Sequence, residues 1–270
     1  MTSAAPWELA LALSAAMALL AWRVGSLRID GAIMACGIGA SALCVSWSWG
    51  AYLIMWFVLA STLSRIGRAR KVERTREVVV KGDQRDARQV LANGGVFGLC
   101  ALTALILGID GAQHRSFVAI AAAASLAASG ADTWSTEIGT LLGGAPWSVR
   151  TWRHVPPGTS GAITIAGSVA GLVGAAVLAG IAASMGMLTS SLVPTVAIGG
   201  AAGAMCDTLL GAFVQERRHC LACALDTEQH THRCGTATSL VGGMRRLDND
   251  LVNLLCSLTG ALVALAIAFS

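Results

Sequence analysis

Three acidic residues stand in segments that are otherwise built to exclude charge. Asp132 and Glu137 lie in "ASLAASGADTWSTEIGTLLGG", residues 124–144, and Asp207 lies in "GGAAGAMCDTLLGAFVQERR", residues 199–218. An ionisable side chain in a membrane helix costs a few kcal/mol on insertion scales and faces protein or water rather than lipid. Carboxylates kept at that cost suit a cation. Mg²⁺ is held by a few carboxylates and bridges phosphates, whose remaining oxygens are held by Arg and by helix N-termini. Asp132 and Glu137 are five apart, about 140° around a regular helix. Both reach one ion only if the helix breaks, and Gly130 in "SGAD" is the expected break.

Groups that would complete such a site recur along the chain. Arg85, Gln89 and Asn93 form one stripe in "GDQRDARQVLANGG", with Arg88 beside it, and Asp248, Asn249, Asp250 and Asn253 cluster in "RRLDNDLVN". Taken alone, either set also reads as helix-end capping or snorkelling. Gly199, Gly203, Asp207, Gly211 and Gln215 line one helix face, where small residues allow close approach of a helix or a ligand. In "VPPGTSGAIT", Pro156 and Pro157 stop a preceding helix and Thr159 or Ser160 is placed to cap the next. A Gly158–Thr159–Ser160–Gly161 turn at a helix start would offer N–H groups to an anion, with Arg153 nearby. An ordinary capped turn is the plainer reading of the same residues.

A second constellation lies in "RRHCLACALDTEQHTHRCG". Cys220-x2-Cys223 followed by His232 and Cys234 gives a tetrahedral Zn²⁺ set, with His230 as the substitute. A reducing compartment favours metal over a disulfide there. Cys36, Cys44, Cys100, Cys206 and Cys256 sit in apolar segments and read as small core residues.

These groups must be positioned by membrane helices. The 270 residues are 55% hydrophobic and 13% charged, against about 25% charged in soluble domains. Eight apolar segments are expected as helices, at about 7–22, 31–45, 51–64, 92–109, 117–142, 160–183, 192–214 and 251–269. The second and third are short enough for a re-entrant pair. The first, with an acidic flank, is read as retained rather than cleaved. The fold class is thus an all-α polytopic membrane protein, one domain over 1–270 with a cytoplasmic insertion at 217–249. The stretch from Arg65 to Arg88 holds nine Lys or Arg against four acids, and the turns 46–50 and 183–191 hold no charge. The positive-inside rule then places the basic loops in the cytoplasm and both termini outside. The expected location is the plasma (inner) membrane with a cytoplasmic catalytic face. No internal repeat supports an inverted-repeat transporter.

The motifs "GDQRDARQVLANGG", "ASGADTWSTEIG", "PGTSGAITIAG", "GAMCDTLLGAFVQ" and "LDNDLVNLL" resemble, in that order, those of the phytyl-phosphate kinase family. The match covers about residues 60–270. More distantly, Asp132, Glu137 and Gly139 are similar to a pattern of phytol kinase and dolichol kinase, and Asp207 to Arg218 is similar to phosphatidate cytidylyltransferases. The resemblance implies transfer of a phosphoryl group from a nucleoside triphosphate, CTP favoured, to an isoprenyl monophosphate. Asp132, Glu137 and Asp207 would hold Mg²⁺, and Gly158–Gly161 the donor phosphates. Arg85, Arg88 and Gln89 would take the acceptor phosphate, supported by Asn93, Asn249 and Asn253 beside Asp248 and Asp250. The partners expected are an isoprenoid lipid phosphate and membrane lipid, with no nucleic acid; a homo-oligomer is left open. The alternatives are a transporter or flippase of an anionic lipid or metabolite, and a lipid cytidylyltransferase.

Overall fold

A computed structural model describes residues 3–75, 84–109, 113, 116–227, 230–232 and 234–270. Residues 76–83 of the basic stretch, and Arg233, lie outside the described residues. Each of the eight expected segments is helical: α1 (Trp7–Arg23), α2 (Ile29–Val45), α3 (Trp47–Arg65), α5 (Ala87–Leu107), α6 (Phe117–Leu142), α7 (Ile165–Ser184), α8 (Val193–Phe213) and α9 (Asn249–Ala268). A short helix, α4 (Arg68–Thr75), sits inside the basic connection. The helices α5 to α9 are long and apolar enough to cross a membrane, and α3 with α4, bent by 69°, makes a sixth span if the pair is one broken crossing. The helices α1 and α2 have 17 residues each, short of the roughly 20 a bilayer needs. Length and composition therefore secure five or six crossings rather than the eight expected.

The helix α6 is the centre of the bundle. Its residues Val118 to Ala131 are all buried, and α3, α5, α7, α8 and α9 pack around it. Alanine is what permits this, because a helix surrounded on every side needs short side chains for its neighbours to approach. Tyr52 on α3 donates to the Ala123 carbonyl at 3.0 Å, and Ser257 on α9 donates to the Ala92 carbonyl of α5 at 3.4 Å. The glycine face of α8 works as its spacing implies: Gly199 and Gly203 lie against Gly260 and Cys256 of α9. The outer faces carry Leu99, Ile106, Ile165, Val169 and Leu172, all exposed, as a lipid-facing surface requires.

Two local expectations fail. The helix α6 runs unbroken through Gly130; a Cβ there would strike Leu178 of α7 and approach Trp56 of α3, so this glycine serves packing rather than a kink. The helix α7 starts at Ile165, not near 160, because Thr164 is its N-cap and accepts from the Gly167 N–H at 3.0 Å. The preceding residues are drawn into a two-stranded antiparallel sheet, β1 (Trp147–Ser148) with β2 (Ala162–Ile163). The described residues of the 217–249 insertion form a small sheet. It holds β3 (Arg217–Cys220), β4 (Leu225–Thr227) and β5 (Ser239–Gly242), antiparallel in the order β4-β3-β5. The all-α description holds for the bundle and not for its loops.

Candidate active site

Helix ends decide what meets what. The C-terminal parts of α3, α6 and α8 and the N-terminal parts of α5, α7 and α9 gather at one end of the bundle, as the contacts below establish. Asp132 lies ten residues before the end of α6, about 15 Å in along the axis. Its carboxyl group shares a hydrogen bond with that of Asp207 on α8. Two carboxyls in contact need either a shared proton or a cation between them. This pair therefore fits a divalent ion by the chemistry of its donors.

Glu137 has a different neighbour. It lies within electrostatic reach of Asp132, yet its carboxylate is ion-paired with Lys71 of α4. The Lys71 side chain is 9% exposed and that of Glu137 22%. The same ammonium donates to the carbonyls of Leu63 and Ser64, each at 2.9 Å. The α6 helix also receives Arg74, which donates to the Thr140 carbonyl at 2.6 Å and to that of Gly144. A cation at a helix C-terminus complements the helix dipole. On the other side, Gly167 and Gly171 let α7 lie against Ser135 and Gly139.

The basic and amide groups border this acidic line. Arg85 donates to Ser61 at 3.0 Å and sits over the Phe57 ring at 5.7 Å. Burial holds its guanidinium below the usual range, while the Glu137 carboxylate supports its charge. Asn93 is bonded on both sides: its amide donates to the Gln89 carbonyl at 3.0 Å, and its oxygen accepts from Ser129 of α6 at 2.8 Å. Asn93 is thus fixed one helical turn before Asp132 on α6. Gln89 and Asp248 turn out to serve helix starts. Gln89 closes a capping box with Asp86, and Asp248 caps α9 by accepting from Leu251 at 3.1 Å. Asp248 also pairs with Arg88 at 2.9 Å, linking α5 and α9. Asp250 is buried, and Asn249 and Asn253 are partly buried in the first turns of α9.

The 158–161 turn reaches the site from α8. Gly158 and Gly161 take positive φ, 92° and 70°, the left-handed region that favours glycine. The Thr159 hydroxyl and N–H both bond the Pro156 carbonyl. A Cβ on Gly161 would fall onto the Ala212 backbone of α8, and one on Gly211 would lie 2.8 Å from the Gly161 nitrogen. The turn is therefore clamped to the last turn of the helix that carries Asp207. It is not at the start of α7, so the helix dipole expected behind it is absent. Arg153 is exposed at the tip of the β1–β2 connection. Gly161→Ala is expected to lower stability by at least about 2 kcal/mol through left-handed strain and backbone collision. An unchanged thermal midpoint in detergent would refute the clamp.

In the insertion, the ligand atoms of Cys220, Cys223, His232 and Cys234 all lie within 4.8 Å of one another. His232 Nδ1 is 3.1 Å from Cys234 Sγ, so His232 rather than His230 completes the group. Hydrogen bonds with Thr236 first and His232 next pull the Cys234 thiol down to about 5. Sharing protons with that thiolate pushes Cys223 up to about 11.

Sequence reasoning missed Lys71, Arg74, Ser61 and Ser129. Lys71 and Arg74 were two of nine basic residues in one stretch. In the short helix α4, Lys71 is buried and Arg74 and Thr75 are partly buried while Arg68 is exposed, and no spacing of the basic residues marks that difference.

The chain has relatives among known proteins. The chain is 26% identical over 263 residues to Protein PGR of Arabidopsis thaliana, covering 90% of each. It is 26% identical over 270 residues to Protein VTE6, chloroplastic, of the same plant, covering 97% of this chain and 72% of the relative. It is 34% identical over 165 residues to the uncharacterized membrane protein MJ0933 of Methanocaldococcus jannaschii, 61% of this chain and 64% of the relative. No solved structure matches. The family model for integral membrane protein DUF92 matches residues 12–261, a span that holds all the acidic, basic and cysteine groups above, and the chain belongs to that family.

Proposed function

We propose that the protein is an isoprenoid-phosphate kinase of the membrane, using a nucleoside triphosphate to convert an isoprenyl monophosphate to the diphosphate. The observation that carries the reading is the Asp132–Asp207 carboxyl pair, set among apolar helices, with Asn93 bonded to Ser129 one turn away and Arg85 within electrostatic reach of Glu137. The motif resemblance to phytyl-phosphate kinases supports the substrate class, and CTP as donor follows from that resemblance alone. A bound Mg²⁺ would supply neutralisation of the donor's phosphate charge. Asp132 and Asp207 would hold it, with Glu137 as the outer carboxylate kept toward Arg85 and Lys71. Arg85 and Arg88 would orient the acceptor phosphate, and Asn93 and Asn253 would offer amide hydrogen bonds. The Gly158–Gly161 turn, with Ser160 and Thr159, would carry the donor phosphates against α8. An acceptor phosphate oxygen attacks the γ-phosphorus; that P–O bond forms, the β–γ bridging bond breaks, and the nucleoside diphosphate leaves. No side chain must act as a strong base, because the attacking oxygen is already anionic. The exposed apolar helix faces suit an isoprenoid tail that never leaves the bilayer.

The basic loops and the site share one end of the bundle, so we place that end in the cytoplasm of an inner membrane. The test is turnover in sealed vesicles of both orientations, with CTP or ATP, Mg²⁺ and phytyl or geranylgeranyl monophosphate. The diphosphate and CDP or ADP are expected, and only from inside-out vesicles. A CDP-lipid with pyrophosphate would instead establish the cytidylyltransferase. Counterflow of substrate with no product would establish the transporter. Equal turnover in right-side-out vesicles would refute the orientation.

A further inference from the structure

We infer that Cys220, Cys223, His232 and Cys234 form a structural zinc site that closes the tip of the β3–β5 sheet, the strap that links α8 to α9. The inference stands whether or not the kinase reading does. In a tetrahedral site with Zn–S of about 2.3 Å, sulfurs lie about 3.8 Å apart and a histidine nitrogen about 3.5 Å from a sulfur. Cys220 and Cys234 Sγ are 3.6 Å apart, and His232 Nδ1 is 3.1 Å from Cys234 Sγ. The fourth atom, on Cys223, falls within the same 4.8 Å group. Three sulfurs and one nitrogen fill all four positions, the closed set of a structural rather than a catalytic zinc.

The backbone presents these atoms from two turns. Cys220 ends β3 and Cys223 lies in the turn to β4, where Ala224 takes a positive φ of 52°. His232 and Cys234 lie in a tight turn closed by the His232 N–H to the Thr236 carbonyl at 2.9 Å, with Gly235 at φ 85°. Among the described residues all eight cysteines are free, and a disulfide within the group would strand the third sulfur.

The sheet needs such a closure. Its base is fixed: buried Glu216, the residue before β3, accepts from the Arg246 N–H at 2.7 Å and pairs with Arg218, and its own N–H donates to the Leu247 carbonyl at 2.9 Å. Leu221, Leu240 and Val241 are exposed, so the tip has almost no apolar core of its own. Small sheets of this kind are held by metal or disulfide. The strand β3 follows α8, the Asp207 helix, and β5 leads back to Asp248 at the start of α9. The zinc therefore sits at the far end of a strap joining two helices of the site.

The test is metal analysis of the full-length protein purified in detergent without added metal. About one zinc per chain is expected. Cobalt replacement should give the intense visible bands of tetrahedral thiolate coordination. Chelation should release zinc, expose Cys220, Cys223 and Cys234 to a thiol reagent, and speed proteolysis within 217–247. Cys223→Ser and Cys234→Ser should lose the zinc, whereas His230→Ala should keep it. Should the cysteine variants fail to fold, zinc content and thiol count of the unaltered protein decide alone. Freely reactive thiols without zinc, a disulfide, or iron in place of zinc would each overturn the inference.

Discussion

Asp132→Asn is expected to leave a folded protein whose turnover falls about 10²–10³-fold, the usual cost of one lost transition-state charge contact. The substitution keeps the side-chain shape and its hydrogen bond to Asp207, and removes one of the two charges a cation would meet. Stability should not fall, since a neutral amide facing a carboxyl ends the conflict between two acids in an apolar bundle. Asp207→Asn should behave the same way. Because both residues meet at one point, the double variant should lose little more than either single one, as residues acting as a unit do. Mg²⁺ should raise the thermal midpoint of the unaltered protein and not that of either variant, by the linkage between binding and folding. Additive losses, or a Mg²⁺ effect that survives in Asp132→Asn, would remove the shared ion from the mechanism.

How much of this was legible depended on whether a signal was local. Helix positions were, because apolar runs of bilayer length state them directly; α5 to α9 meet that length test. The convergence of Cys220, Cys223, His232 and Cys234 in the insertion is legible from Cys-x2-Cys spacing, since knuckle geometry is local. The pairing of Asp132 with Asp207 was not, because 75 residues separate them and only helix packing brings them together. The Gly130 break is expected only from a need, that of Asp132 and Glu137 to reach one ion. The structure removes the need by giving Asp132 a partner on α8 and Glu137 a partner on α4. The start of α7 is ambiguous in the sequence because Thr159, Ser160 and Thr164 are all competent caps. The pairing of Ala162–Ile163 with Trp147–Ser148 selects the last, and no spacing rule reveals that strand.

Lys71→Met is expected to lower stability by about 3 kcal/mol, because it strands the Glu137 carboxylate in a largely buried position. The thermal midpoint in detergent should fall by roughly 5–10 °C. Lys71 also satisfies the Leu63 and Ser64 carbonyls at the end of α3, so its loss frees α4 as well as Glu137. The double variant Lys71→Met with Glu137→Gln should recover much of the loss, since the stranded carboxylate is then gone, the remaining cost being the support that Arg85 loses. That cycle separates two roles for Glu137. If the carboxylate serves chiefly to hold α4 across the α6 end, the double variant keeps its Mg²⁺ dependence and most of its turnover. If Glu137 binds the ion directly, the double variant folds well and still loses turnover about 10²-fold. The ion pair with Lys71 and the separate Asp132–Asp207 contact favour the first outcome. A Lys71→Met protein as stable as the unaltered one would show instead that the pair is solvated and that α4 is held by its other contacts, Arg74 among them.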